Sequence, residues 1–168
     1  ATIAIMRGNR DFLLGEAFCR SVGAQLLPDP IVIDLYGEPT LLLHGDSLCT
    51  DDVQYQAFRR TARDPAWQAD LLARPLAERR DLADQLREMS REANSNKAED
   101  IMDVAPAAVH AIMNEHGVRQ MIHGHTHRPA RHEEAAGRRW VLGDWDSQGW
   151  AIEASAGNIR LYSFPINQ

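Results

Sequence analysis

Three features of this sequence predict an α/β fold with a helical insertion. Short apolar segments, partly β-branched, recur at residues 1–6, 31–36, 40–43 and 118–122, as buried strands do. Between residues 51 and 103 the strand signal vanishes, and apolar residues return at helical spacing among dense charge. After residue 139 the strand pattern resumes in Trp140–Gly143, Trp150–Ala154 and Ile159–Tyr162. A block of that length is too long for an ordinary connection. The expected division is therefore a core of residues 1–50 and 104–168, with residues 51–103 as a helical insertion or cap.

Taken in order, residues 1–6 read as a buried strand that ends in a turn at Gly8-Asn9, where glycine permits positive φ. Residues 15–22 read as a helix with Ala17, Phe18 and Val22 on its core face. Ile31–Tyr36 and Thr40–Leu43 form a hairpin, because only Gly37-Glu38-Pro39 joins them. In the insertion, Tyr55 and Phe58, then Trp67, Leu71 and Leu72, then Leu82, Leu86 and Met89 mark helices divided at Pro65 and Pro75. Asn94-Ser95-Asn96-Lys97 interrupts the last helix, which resumes over 98–104. Ala105–His116 is a further helix with Pro106 in its first turn. Val118–Ile122 is a strand, and the segments after residue 139 are closing antiparallel strands.

The composition limits the functions available. A net charge of −6 lacks the basic footprint of general nucleic-acid binding. Cys19 and Cys49 have no metal-ligand spacing, and two lone thiols suit a reducing cytoplasm. No apolar run reaches the roughly 20 residues of a membrane span, and no signal peptide is evident. The chain starts on a strand, as if part way through a domain.

Three strand ends carry polar groups after a glycine turn: Gly8-Asn9-Arg10-Asp11, His44-Gly45-Asp46 and His123-Gly124-His125-Thr126-His127. Side chains at the carboxyl ends of neighbouring strands converge on one rim of a sheet. An Asn carbonyl with imidazole nitrogens suits a borderline divalent ion such as Mn, Fe, Co or Zn. The three histidines point one way if the strand runs through them; a strand that ends at Gly124 re-aims the last two.

These blocks, together with Cys49-Thr50-Asp51-Asp52 and Asn94-Ser95-Asn96-Lys97, resemble the calcineurin-like metallophosphoesterases. Within that superfamily the resemblance is to the UDP-2,3-diacylglucosamine hydrolases of lipid A biosynthesis. It implies an αββα sandwich and two divalent metal ions, Mn2+ by expectation. Asn9, His44 and His125 would ligate one ion, His127 the other, and His123 would support them. Arg10 would be catalytic, because a guanidinium grips phosphate oxygens in a fork and offsets developing charge. Asn9, Arg10, Asp52, Ser90, Asn94, Lys97 and His125 would meet the substrate, a UDP-linked diacylglucosamine lipid. The implied reaction is hydrolysis of its pyrophosphate to UMP and 2,3-diacylglucosamine 1-phosphate.

The same resemblance places the protein on the cytoplasmic face of a Gram-negative inner membrane. The insertion would be a lid that seats acyl chains beside Trp67, Leu71, Leu72 and Leu76, and Arg74, Arg79, Arg80, Arg87 and Arg91 would meet anionic headgroups. The superfamily's Asp-x-His and Gly-Asp-x-x-Asp motifs are not in the sequence and would precede Ala1. Two other readings stay open: a phosphodiesterase or phosphatase of the same superfamily, and a non-catalytic metal- or lipid-binding module.

Overall fold

The computed structural model describes residues 1–95 and 102–166, and the side chains of these except residues 93–95. The fold is α/β. β1 (Ile3–Met6) leads through α1 (Glu16–Ser21) to β2 (Ala24–Leu27), and the two strands pair in parallel. β3 (Ile31–Leu35) and β4 (Glu38–Leu43) form the expected antiparallel hairpin. Then come α2 (Val53–Ala62), α3 (Pro65–Ala73), α4 (Leu76–Ser95) and α5 (Pro106–Glu115). β5 (Gln120–His123), β6 (Ala130–Glu134) and β7 (Gly137–Val141) complete a five-stranded sheet in the order β3-β4-β5-β7-β6. β8 (Gln148–Ser155) and β9 (Asn158–Pro165) make a separate antiparallel ribbon.

The helical block follows its sequence signals. Asp52 caps α2 by accepting the Tyr55 N–H at 3.0 Å, and Asp64 caps α3 at Trp67 N, 2.8 Å. Pro65 stands in the first turn of α3, and Pro75 separates α3 from α4. On α4 the half-buried residues are Arg79, Leu82, Ala83, Leu86 and Ser90, a stripe at helical spacing.

Several local expectations are corrected. β1 is not buried: Ile3 is 54% exposed, because among the described residues β1 has a strand neighbour on one side only. On α1 the inward residue is Cys19, while Phe18 is 51% exposed and Val22 is exposed too. β2 and β6 were not foreseen. β7 is no simple antiparallel closure, since it pairs in parallel with β5 and antiparallel with β6. α4 runs on through Asn94 and Ser95, and residues 102–104 are not helical. Lys97 lies outside the described residues.

The core lies beside the site. Leu41, Leu43, Leu48, Cys49, Val109, Met113, Val118 and Met121 form one buried cluster, which packs α5 against β4 and β5. Each side chain of this size contributes roughly 1.5–3 kcal/mol on full burial. Cys49 donates its Sγ–H to the Met102 carbonyl at 3.3 Å. Burial, and then the charges of Asp103 and Asp46, push its thiol up to about 12. Cys19 is buried as well. A chromogenic disulfide reagent at pH 8 is therefore expected to label the folded chain at least about 100-fold more slowly than the urea-unfolded chain.

Candidate active site

β4 and β5 lie side by side in parallel, with Leu43 opposite His123, so their carboxyl ends fall on one rim. The backbone ties them there, as Gly124 N–H donates to His44 O at 3.0 Å. β1 belongs to a separate sheet, paired with β2, so the three payloads do not share one sheet edge as expected. The turn after β1 reaches the rim nonetheless. His44 Nε2 lies 3.2 Å from Asn9 Oδ1, and the His44 and His125 rings stand 5.0 Å apart, edge to face.

Two glycines make this closeness feasible, for different reasons. Gly8 does not adopt positive φ; it gives room, since a Cβ there would lie 2.9 Å from His44 Cε1. Gly45 needs both room and conformation. Its φ is +111°, and a Cβ would meet His123 Nδ1 at 2.8 Å.

The histidine cluster divides. β5 stops at His123, and His125 and His127 take left-handed φ of 64° and 54°, which re-aims both. His123 points inward and is 1% exposed. Its Nδ1 lies 2.9 Å from Gly124 O and its Nε2 3.2 Å from Arg139, whose Nε donates to Glu134 at 2.7 Å. It thus anchors the turn from behind. His127 sits on the rim with its Nδ1 3.8 Å from Asp144.

Burial keeps His123, His125 and His44 neutral. His123 falls to about 4, through desolvation and then, after a partly opposing hydrogen bond to Gly124, the Arg139 charge. His125 falls to about 4 through desolvation and then the His44 charge, with His127 and Arg10 adding to it. His44 is lowered as well, chiefly by desolvation. Linkage follows for His123. Above its ordinary value of 6.5 it is neutral folded or unfolded; between 6.5 and about 4 only the unfolded chain takes the proton. Stability should fall by about 3 kcal/mol as pH drops through that window. Urea midpoints at pH 7 and pH 5 test this, and His123→Gln should remove its own share of the slope and leave that of His125 and His44.

The remaining predicted residues divide by position. Arg10 Nη2 donates to Ser90 Oγ at 3.3 Å, which brings α4 against the Asn9 turn. Asp52 is buried as the cap of α2. Asn94 lies on α4, and nothing further is described for its side chain.

Sequence reasoning missed a second layer. Asp46 is fully buried, accepts the Tyr55 hydroxyl, and takes Arg59 Nε at 3.0 Å. Asp29 accepts His44 N–H at 3.0 Å. The Tyr55 ring stacks on His125 at 5.8 Å. Tyr55, Arg59 and Arg63 are spaced by four, one face of a helix, and that spacing was the available signal.

The donor set fits a divalent ion. Adjacent ligand atoms about 2.1 Å from one ion lie roughly 3.0–3.4 Å apart. Asn9 Oδ1 and His44 Nε2 meet that separation, with neutral His125 beside them. Among the described residues no three His, Cys, Asp or Glu side chains gather as a metal cluster.

No family model matches the chain. Named proteins do. The chain is 55% identical over 168 residues to a UDP-2,3-diacylglucosamine hydrolase of Cellvibrio japonicus, covering 98% of this chain and 70% of that one. A protein of the same name from Pseudomonas aeruginosa matches at 55% with the same coverage. One from Marinobacter nauticus is 59% identical over 157 residues, covering 91% and 64% of the two chains. Identity at this level, over nearly the whole chain and 70% of its relatives, leaves one assignment: the chain belongs to the UDP-2,3-diacylglucosamine hydrolase family.

Proposed function

We propose that this chain hydrolyses the pyrophosphate bond of UDP-2,3-diacylglucosamine, giving UMP and 2,3-diacylglucosamine 1-phosphate in lipid A biosynthesis. The observation that carries the reading is the 55% identity over 98% of the chain to hydrolases of that name. The geometry supports it, because Asn9, His44 and His125 meet at one rim and Arg10 follows Asn9 in the same turn.

In this reading Asn9, His44 and His125 would hold one divalent ion, Mn2+ by preference, and His127 a second. Such ions supply hydroxide near neutral pH and offset charge on phosphate oxygens. Water oxygen bonds to the α-phosphorus, the bond from that phosphorus to the bridging oxygen breaks, and the lipid phosphate leaves. Arg10 grips the phosphate oxygens and stabilises their growing charge. Ser90, bonded to Arg10, orients that fork from α4. Burial keeps His44 and His125 in the neutral form that a ligand requires.

We further assign the fold to the calcineurin-like αββα sandwich and residues 51–103 to a lid over the acyl chains. Asp52, Asn94 and Lys97 would contact the glucosamine phosphate and acyl region. Exposed Leu72, Leu76 and Met89 offer apolar surface for a lipid. Among the described residues no helix is long and apolar enough to cross a membrane. Contact with a cytoplasmic inner-membrane surface, in this reading, would be peripheral. Of the lid arginines, Arg74, Arg87 and Arg91 already pair with Asp70, Asp84 and Glu88.

The test is UMP release from the UDP-sugar lipid with added Mn2+, against bis-p-nitrophenyl phosphate as a general diester. Rapid UMP release with little nitrophenol supports the reading. Efficient cleavage of the diester alone would favour another phosphoesterase, and neither product would favour a binding module.

A further inference from the structure

We propose that Arg63 is a positioning residue that sets the separation of Asn9 and His44. The inference rests on the proposed hydrolase reading and concerns a residue remote from the phosphate. One guanidinium nitrogen of Arg63, Nη2, donates to Arg7 O at 3.1 Å and to Gly8 O at 3.4 Å. These are the two carbonyls immediately before Asn9. The same nitrogen faces Asp29 Oδ2 at 3.5 Å and Asp46 Oδ2 at 3.9 Å. The other Asp29 oxygen accepts the backbone N–H of His44 at 3.0 Å.

A single side chain therefore joins the turn after β1 to the end of β4. Those segments lie in different sheets, and no ladder hydrogen bond fixes their separation. The Arg63 side chain is only 19% exposed and Asp29 only 6%, so solvent screens the link weakly. Gly8 has no side chain with which to hold itself; its N–H donates to Asp11 Oδ1, and its carbonyl accepts from Arg63. Arg63 stands at the end of α2, the helix whose Tyr55 ring stacks on His125. The same helix thus reaches all three strand ends.

Lysine keeps the positive charge, but its ammonium ends one bond short of the Nη2 position from which Arg63 reaches Arg7 O, Gly8 O and Asp29 together. The decisive variants are Arg63→Lys and Arg63→Met in the full chain. Arg63→Lys should keep Tm within a few degrees while kcat for UMP release falls about tenfold, with KM changed less than threefold. Calorimetric Kd for Mn2+ should rise about tenfold. Without metal, hydrogen exchange at the Asn9–Asp11 amides should quicken. Arg63→Met should exceed it on each measure. If both variants kept kcat, Mn2+ affinity and exchange within twofold of the parent, the proposal would be overturned, whatever happened to Tm. Should Arg63→Met fail to fold, Arg63→Lys alone decides on the same criteria. A parent chain that binds Mn2+ but releases no UMP refutes the substrate reading only, and Arg63 is then judged on Kd and exchange. A parent that binds no Mn2+ overturns both.

Discussion

Replacing Asp46 by alanine should destabilise the fold by about 3–5 kcal/mol, the usual cost of removing one partner from a buried ion pair. Asp46 is 0% exposed. It accepts from Tyr55 and Arg59, and Arg63 lies within 3.9 Å. Burial works to raise its pKa; the Tyr55 hydrogen bond, then the charges of Arg59, His44 and Arg63, more than offset that and hold it below 3.8. The carboxylate is therefore charged at neutral pH, and the variant would leave two arginines to share Asp29. Net stabilities are only about 5–15 kcal/mol, so a large part of the total is at stake. Because the folded pKa is depressed, this contribution is present above the ordinary value and lost only as pH falls through the lower one. Equilibrium urea unfolding at pH 7 checks the size. A loss under about 1 kcal/mol would mean that the network contributes little.

Arg10→Ala should leave Tm nearly unchanged, because Arg10 is exposed and its contact with Ser90 is a surface one. It should nonetheless lower kcat about 10²–10³-fold, the usual cost of losing a group aimed at developing charge. Arg10→Lys should recover only part of this, since an ammonium cannot offer two parallel hydrogen bonds to one phosphate. Ser90→Ala should cost less than either, because it loosens the fork without removing it. Steady-state UMP release for the three variants gives the order. Equal losses in Arg10→Ala and Ser90→Ala would shift the role from Arg10 to α4 as a whole.

These two residues illustrate how differently parts of the site could be read from sequence. Arg10 follows a glycine turn after an apolar strand, in a block that resembles a known family, and that resemblance is what proposes a role for it. Asp46 stands in an equally visible block, yet its function comes from Tyr55, Arg59 and Arg63, which lie 9, 13 and 17 residues further along the chain. Their spacing by four marks one face of a helix but does not say what that face meets. His123 was separable from His125 and His127 only once β5 was seen to stop there and the next turn to take positive φ.

The sequence by itself determined the α/β class, the β3–β4 hairpin, the proline-divided helices of 53–95, the family resemblance and the candidate ligands. Each of these rests on local periodicity, turn chemistry or a short block of residues. The tertiary structure alone decided that β1 lies outside the main sheet, that Ile3 and Phe18 face outward, and that Gly8 serves closeness rather than positive φ. It alone decided that α2 reaches all three strand ends. The physical reason is that strand pairing and buried ion pairs depend on which distant segments come into contact, and a residue's own neighbours in sequence do not encode that.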